Sequence, residues 1–189
     1  MLTDRFDEAL AYASRIHRTQ IRTGSGIPYV SHLLGVTALA LEFGADEDQA
    51  IAALLHDAVE DQGGTERLED IRARFGDRVA AIVSDCTDTD LEPKPPWRRR
   101  KEDYIASLAR KPRESLLVSA ADKTHNASAI NADLRAVGAE VWSRFTGRKD
   151  GTLWYYRSLA NAFAEYMPGP ASARLAREVD EMEHLAQTH

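Results

Sequence analysis

Apolar side chains recur at steps of three and four along most of this chain, which is the spacing of one face of an α-helix. In the first such segment, residues 3 to 20, Thr3 or Asp4 is placed to cap the helix start. The apolar positions that follow are Phe6, Leu10, Ala13 and Ile16. The pattern predicts an amphipathic helix.

The same spacing predicts further helices, most of them bounded by glycine, proline or a capping residue. They cover residues 30 to 44, 46 to 61, 65 to 76 with Thr65 as the cap, 77 to 88, 97 to 110, 113 to 134, 152 to 167 and 172 to 187. Residues 88 to 96, DTDLEPKPP, are predicted to form a loop, and a turn is expected between 138 and 150. Because no strand-like alternation or repeat is evident, the predicted fold is an all-α orthogonal bundle.

Composition and charge narrow the class of protein. The 189 residues are 43% hydrophobic and 29% charged, with a net charge of −6 that argues against nucleic-acid binding through phosphate neutralisation. No apolar run approaches the roughly 20 residues that span a bilayer, and the N-terminus lacks a basic segment followed by an apolar one. The single Cys86 forms no internal disulfide. We therefore expect a cytoplasmic protein without a membrane or nucleic-acid partner, and a homo-oligomer is compatible with this composition.

The stretch LLHDAVEDQGG, residues 54 to 64, places a histidine and three acids directly behind an apolar run. On a continuous helix His56 and Glu60 lie one turn apart, and so do Asp57 and Asp61. Hydration at a helix end explains the two later acids taken alone. It explains His56 and Asp57 poorly, because their neighbours are apolar and an unpaired buried charge is costly. A divalent cation explains the cluster better, since imidazole and carboxylate suit Mn²⁺, Fe²⁺ or Zn²⁺.

Two ligands are too few for such a site, and the chain offers His32 and Asp122 as the others. His32 has an alternative interpretation as a core histidine on an apolar helix. Asp122 follows a run of apolar residues and needs a strong partner if it is buried. Lys123 or Arg113 would be the partner in a purely structural ion pair.

Three segments in this order resemble a known family: RTGSGIPYVSH (22 to 32), HDAVED (56 to 61) and ADKTHN (121 to 126). They resemble the H…HD…D pattern of the HD-domain metal-dependent phosphohydrolases. The closer similarity is to the hydrolase domain of the RelA/SpoT type and to stand-alone small alarmone hydrolases. The similarity covers about residues 3–133. It implies one HD-type domain over residues 1–189, with helices from 139 to 189 packed on that core.

The resemblance also implies roles for individual residues. The metal ligands would be His32, His56, Asp57 and Asp122, with Mn²⁺ as the usual metal. Glu60 and Asp61 would be the catalytic pair, placed one turn from the ligands to orient water and accept its proton.

A pyrophosphate substrate needs cations, and the chain supplies them locally. The candidates are Arg22, Lys123, Arg99, Arg100 and Lys101. Asn126 resembles a substrate-contacting asparagine of the family, whereas His125 and His17 are interpreted as structural or solvent-exposed.

The implied activity is hydrolysis of guanosine tetra- or pentaphosphate, (p)ppGpp, to GDP or GTP and pyrophosphate by a stand-alone enzyme. Thr23 and Leu33 differ from the family pattern, and the loop between Arg22 and Pro28 is longer. Recognition of the base and ribose is expected at these same positions, so the resemblance does not extend to those contacts. The alternatives are an HD-type phosphatase for a nucleoside monophosphate, a deoxynucleotide or the 2′-phosphate of NADPH, and a non-catalytic nucleotide-binding module.

Overall fold

The computed structural model describes residues 1–87 and 95–188. Within these ranges the chain forms helices and no named strand, which confirms the predicted all-α fold. The helices are α1 Asp4–Ile16, α2 Val30–Glu42, α3 Glu47–Leu55, α4 Ala58–Gln62, α5 Gly64–Phe75, α6 Asp77–Cys86, α7 Trp97–Leu108, α8 Arg113–Val137, a 3-10 helix Gly138–Arg144, α9 Arg148–Tyr166 and α10 Pro170–Thr188. No helix of the described residues is both long and apolar enough to cross a membrane.

Side-chain caps begin two of the helices, α1 and α3. Thr3 caps α1 by accepting a hydrogen bond from the Arg5 amide at 3.3 Å. At the start of α3, the Asp46 carboxylate accepts from the Gln49 amide and the Gln49 side chain accepts from the Asp46 amide, both at 3.0 Å. This capping box satisfies amides that the first helical turn would otherwise leave unbonded.

Two apolar cores meet along α8, the longest helix. Residues of α1 to α6 build one core, to which α8 contributes Val118 and Ala121. Residues of α7 to α10 build the other, to which α8 contributes Leu116, Ala120 and Ala127 among others. Because α8 packs against both halves, a polar residue in its middle lies where the two halves meet.

The helix predicted over residues 46 to 61 is interrupted at His56 and Asp57, so its predicted continuity was wrong. The His56 ring nitrogen Nδ1 bonds the Ala53 carbonyl at 2.8 Å. An uninterrupted helix would offer that carbonyl to the amide of Asp57. The Asp61 amide still bonds the Asp57 carbonyl at 3.0 Å, which keeps these two acids one turn apart.

Two smaller differences concern helix boundaries, and one prediction falls partly outside the described residues. Thr65 is not the cap of α5, because the helix already begins at Gly64, after Gly63 with φ 132°. A 3-10 helix and the first turn of α9 occupy the segment from 138 to 150 where only a turn was expected. Residues 88–94 of the predicted loop lie outside the described residues.

Candidate metal centre and substrate cavity

Helix α2, the junction between α3 and α4, and helix α8 bring the four predicted metal ligands together. The two histidine Nε2 atoms, of His32 and His56, lie 3.3 Å apart. Asp57 Oδ2 lies 3.0 Å from the Nε2 of His56 and 3.5 Å from that of His32. Asp122 Oδ1 approaches the same two atoms at 3.5 and 3.3 Å. Residues separated by up to 90 positions in the chain therefore share one point.

These spacings fit a first-row divalent cation. Donor atoms bound to one ion at about 2.0–2.2 Å lie roughly 3 to 3.5 Å from their neighbours. The ligand atoms of His32, His56 and Asp57 all lie within 4.8 Å of one another, and Asp122 joins them through both histidines. Two imidazoles and two carboxylates are a donor set for Mn²⁺, Fe²⁺ or Zn²⁺ rather than for Ca²⁺.

Hydrogen bonds on the far side of each ring orient the two histidines. The Nδ1 of His56 can only donate to the Ala53 carbonyl, so in the neutral ring that a metal requires the free lone pair would be on Nε2, which faces the centre. The Nδ1 of His32 lies 3.0 Å from Nδ1 of His125. A supporting partner on the second ring nitrogen is the usual companion of a metal-bound histidine.

The sequence-based interpretation therefore missed the position of His125 beside a candidate ligand. Burial, with the nearby charges of His32 and Arg22, lowers its pKa to about 4, so its ring is neutral and able to accept a hydrogen bond at neutral pH. Gly35 makes room for the ring, because a Cβ there would lie 2.2 Å from its Nε2. A glycine inside an apolar helix was the one signal of such a close approach.

Tyr29 supports the carboxylate of Asp57, since its hydroxyl donates to Oδ2 at 2.5 Å. The Tyr29 ring also stacks on His17, which is buried as the structural interpretation expected. Burial and the charge of Asp57 raise the pKa of Tyr29, so its hydroxyl stays protonated and can only support the carboxylate as a donor.

The buried carboxylates of the cluster are stabilised by positive charge. Burial opposes the charged forms, yet Asp57 and Asp122 raise the pKa of His56 well above its ordinary value. Burial likewise opposes ionisation of Asp122, and Lys123 with the two histidines holds the pKa of that carboxyl well below its usual range. A bound cation would supply the charge that buried carboxylates require.

Asp122 uses its two oxygens differently. Oδ2 accepts from Lys123 Nζ at 2.6 Å, so the ion pair that the sequence offered as an alternative is present. Oδ1 faces both histidines and accepts from Asn126 Nδ2 at 2.5 Å. The two interpretations of Asp122 are therefore compatible within one side chain.

Arg22 reaches the edge of this cluster from the loop between α1 and α2. Its Nη2 donates to Asn126 Oδ1 at 2.9 Å, and its Nη1 lies 3.4 Å from His125 Nδ1. Asn126 thereby bridges Arg22 and Asp122. The structure brings these predicted substrate-binding residues together with the candidate ligands.

A cavity of about 670 Å³ opens beside the cluster, within the volume range of ligand pockets. Its polar lining includes Arg22, Lys101, Lys123, His125 and Asn126. The aromatic lining consists of Tyr29, Trp97, Phe145, Tyr155 and Tyr156. Trp97 reaches it because Gly147 and Gly151 present no side chain to its ring.

Of the predicted basic run, only Lys101 lines this cavity. The Arg99 side chain is 77% exposed and lies 3.8 Å from Asp103 on the same helix. Arg100 donates from Nε to the Pro95 carbonyl at 3.2 Å. Successive helical residues point about 100° apart, so the run cannot face one site together.

The predicted catalytic acids lie on α4, directly after the candidate ligands. Asp61 Oδ2 accepts from Gln20 Nε2 at 2.8 Å. Partial burial and the charges of Asp57 and Glu60 raise the pKa of Asp61. Glu60 is partly buried on the same short helix. The raised pKa of Asp61 brings that carboxyl closer to the range useful for proton transfer.

An all-α bundle whose buried histidines and aspartates surround one point defines a candidate metalloprotein with a nucleotide-sized cavity. The sequence family described as “HD domain” matches residues 9–153. The chain belongs to the HD-domain family, as the resemblance predicted.

Two curated relatives place the chain within this family. The chain is 39% identical to the GTP pyrophosphokinase of Streptomyces coelicolor over 127 residues. The aligned region covers 65% of this chain and 14% of that protein. It thus spans about a seventh of that relative. It is 33% identical over 139 residues to the guanosine-3′,5′-bis(diphosphate) 3′-pyrophosphohydrolase MESH1 of Danio rerio, which covers 72% of each chain.

A solved structure is similar over nearly the whole length. It is described as “A metazoan ortholog of SpoT hydrolyzes ppGpp and plays a role in starvation responses”. The TM-score is 0.75 at 28% identity, over 97% of this chain and 96% of that one. The whole bundle, including the C-terminal helices outside the motifs, therefore follows the fold of that protein.

Proposed function

We propose that this protein is a metal-dependent guanosine-3′,5′-bis(diphosphate) 3′-pyrophosphohydrolase, which converts (p)ppGpp to GDP or GTP and pyrophosphate. The observation that carries the proposal is the convergence of His32, His56, Asp57 and Asp122 beside a cavity lined by cationic side chains. The relative named for this hydrolysis aligns over 72% of both chains, whereas the named kinase aligns over 14% of its own length. The proposal includes a small nucleotide as partner and a cytoplasmic location.

The proposed metal ligands are His32, His56, Asp57 and Asp122, and the proposed metal is Mn²⁺. When bound, a divalent cation polarises a phosphate oxygen and lowers the pKa of water. His125 would hold His32 in position for it, because the two rings are bonded through their Nδ1 atoms, away from the centre. Tyr29 would hold Asp57, because its hydroxyl donates to the carboxylate. Lys123 already pairs with Asp122 Oδ2 at 2.6 Å, which leaves Oδ1 to face the two histidines.

Arg22 and Lys123 would neutralise the 3′-pyrophosphate. Both line the cavity next to Asp122, and Asn126 orients Arg22 through its side-chain oxygen. A guanidinium matches the fork of two phosphate oxygens, while the ammonium of Lys123 acts as a compact charge. Lys101 lines the cavity as well and would contact the 5′-phosphates. A contribution from Arg99 or Arg100 remains a prediction that requires their side chains to turn.

Glu60 and Asp61 would carry the proton transfers. In the overall reaction water adds to the phosphorus that adjoins O3′, the bond between them breaks, and O3′ gains a proton. Glu60 would accept the proton of the water, and Asp61, with its raised pKa, would return one to the product side. Gln20 positions Asp61 by donating to its carboxylate.

A substrate panel tests the proposal. Purified protein with Mn²⁺ would be offered ppGpp, NADPH and nucleoside mono- and triphosphates, with pyrophosphate and phosphate measured separately. We expect pyrophosphate and GDP from ppGpp, and loss of this activity in His56→Ala. Phosphate release from NADPH or a monophosphate with ppGpp left intact would overturn the proposal in favour of another phosphohydrolase activity. Tight nucleotide binding without any turnover would favour a binding module.

A further inference from the structure

One face of α8 forms the floor of the cavity beyond the candidate metal centre. Asn126, Ala129, Ile130 and Asp133 line the cavity at spacings of three, four and seven residues. This spacing places them on the same side of a helix. The short side chain of Ala129 leaves a flat apolar surface, and Asp133 ends it with a carboxylate. Such a floor fits a planar ring that carries polar groups on one edge.

Among the described residues, the two carboxylate oxygens of Asp133 differ in their hydrogen bonds. Arg144 Nη1 donates to Oδ2 at 2.8 Å, and the Asp133 side chain is 36% exposed. Oδ1 accepts no hydrogen bond from any residue in the described ranges 1–87 and 95–188. The ion pair therefore fixes the carboxylate while one oxygen stays able to accept from a ligand.

The loop that follows Arg22 covers the Asp133 end of the cavity. Gly24 in this loop allows it to approach Arg144. Gly24 has φ +82°, and a Cβ there would lie 2.3 Å from Arg144 Cδ. A side chain at this position would displace either the loop or the Arg144 side chain. The loop that carries Arg22 and the ion pair that holds Asp133 thus form one packed unit, at the segment where the sequence departs from the family pattern.

We propose that Asp133 is a specificity-determining residue that binds the base of the nucleotide and selects guanine over adenine, an inference that rests on the proposed function. An ionised carboxylate only accepts hydrogen bonds. Guanine presents two adjacent donors on its Watson–Crick edge, N1–H and the 2-amino group. Adenine presents the acceptor N1 at the corresponding position, which a carboxylate repels.

The dimensions of the cavity suit this assignment. Asp122 and Asp133 lie eleven residues apart on α8, about 16 Å along the axis at 1.5 Å per residue. Arg22, Asn126 and Lys123 lie at the Asp122 end of this span. A nucleotide held there by its 3′-pyrophosphate can extend along the apolar floor and place its base edge at Asp133.

The test compares Asp133→Asn with the wild-type protein, and Glu181→Gln is the matched control. Glu181 accepts from Arg135 at 2.8 Å, so the control also breaks an ion pair of α8, but away from the cavity. Binding of GDP, IDP and ADP would be measured by equilibrium dialysis. Hydrolysis of the guanosine, inosine and adenosine 3′,5′-bis(diphosphates) would be measured beside it.

We expect wild-type protein and the control to bind GDP about 10-fold more tightly than IDP and about 10²-fold more tightly than ADP. Asp133→Asn should narrow the GDP-to-ADP ratio below about 10-fold and raise KM for the guanosine substrate, with kcat within about 2-fold. A purely structural ion pair would lower activity equally for all three bases, and an unchanged base ratio in Asp133→Asn would overturn the inference.

Failure of the inference and failure of the proposed function give different results. Guanosine-selective hydrolysis that Asp133→Asn leaves unaltered rejects the role of Asp133 and keeps the hydrolase. Absence of hydrolysis in the wild type rejects the hydrolase, and the dialysis ratios then decide alone whether Asp133 binds the base.

Discussion

The two ends of the cavity are held together in different ways. At the metal-centre end, each of His32, Asp57 and Asp122 contacts several others of the cluster, and His32 is 1% exposed. At the opposite end, the one partner of Asp133 within residues 1–87 and 95–188 is Arg144, and the Asp133 side chain is 36% exposed. A densely connected buried cluster tolerates no loss, because each removal leaves charges unpaired. The opposite end has fewer contacts and tolerates substitution, so changes to its residues should have graded effects on substrate choice.

The largest expected effect is at the metal-centre end. Asp57→Ala should remove bound metal and activity together. The loss in each should exceed the roughly 10²-fold that removal of a supporting residue costs. The measurements are metal content per chain and the rate of pyrophosphate release. A variant that retains both would show that the cluster is an ion-pair network rather than a metal site.

Glu60→Gln should separate binding from chemistry at this same end. We expect retained metal and a loss of roughly 10²-fold or more in kcat, because the amide cannot accept the proton. Steady-state rates and metal analysis on the same preparation provide the check. Full activity would remove Glu60 from the mechanism.

His125→Ala tests the support of a candidate ligand. It removes the Nδ1 atom that lies 3.0 Å from His32 Nδ1 and should weaken Mn²⁺ affinity by about 10-fold. His184→Ala, at an exposed position of α10, is the control and should have no effect. Equal affinities in the two variants would place His125 outside the metal site.

Gly35→Ala tests the close packing behind that histidine. Alanine normally favours a helix over glycine, but its Cβ here would lie 2.2 Å from His125 Nε2. We expect a loss of about 1–3 kcal/mol in the free energy of unfolding, measured by denaturant titration. His125→Ala in the same chain should recover most of it, and additive losses would contradict the contact.

The smallest expected effect concerns the basic residues of α7. Lys101→Gln should raise KM by about 5- to 10-fold, the cost of one charge-assisted contact. Arg99→Gln should raise KM less, because Arg99 is 77% exposed beside Asp103. Steady-state kinetics with ppGpp measure both, and the reverse order would show that α7 turns when substrate binds.

The sequence predicted the metal-centre end far better than the opposite wall. Periodicity located the helices, and charged residues in an apolar setting indicated His56, Asp57 and Asp122, which the structure brings together. The helix break at His56 was not predictable from periodicity, because it depends on a bond between a side chain and the Ala53 carbonyl. That Lys101 and Arg99 point in different directions was predictable in principle, because successive residues of a helix point about 100° apart.

The opposite wall had no comparable signal. Asp133 and Arg144 meet only because a 3-10 helix follows α8 and returns the chain to the cavity. An aspartate near the end of an amphipathic helix is typical of an ordinary solvated surface position. Trp97 likewise gains its place through Gly147 and Gly151, fifty or more residues later. Such contacts depend on tertiary packing between segments, which local sequence patterns do not contain.

Titration of metal-free protein with Mn²⁺, with pyrophosphate release from ppGpp as the readout, tests the metal-dependent hydrolase most directly. Activity should be absent in chelator and should saturate near one Mn²⁺ per chain. Asp122→Asn should show neither the saturation nor the activity. Undiminished hydrolysis in chelator, or no hydrolysis of ppGpp at saturating Mn²⁺, would contradict the proposed site and its reaction.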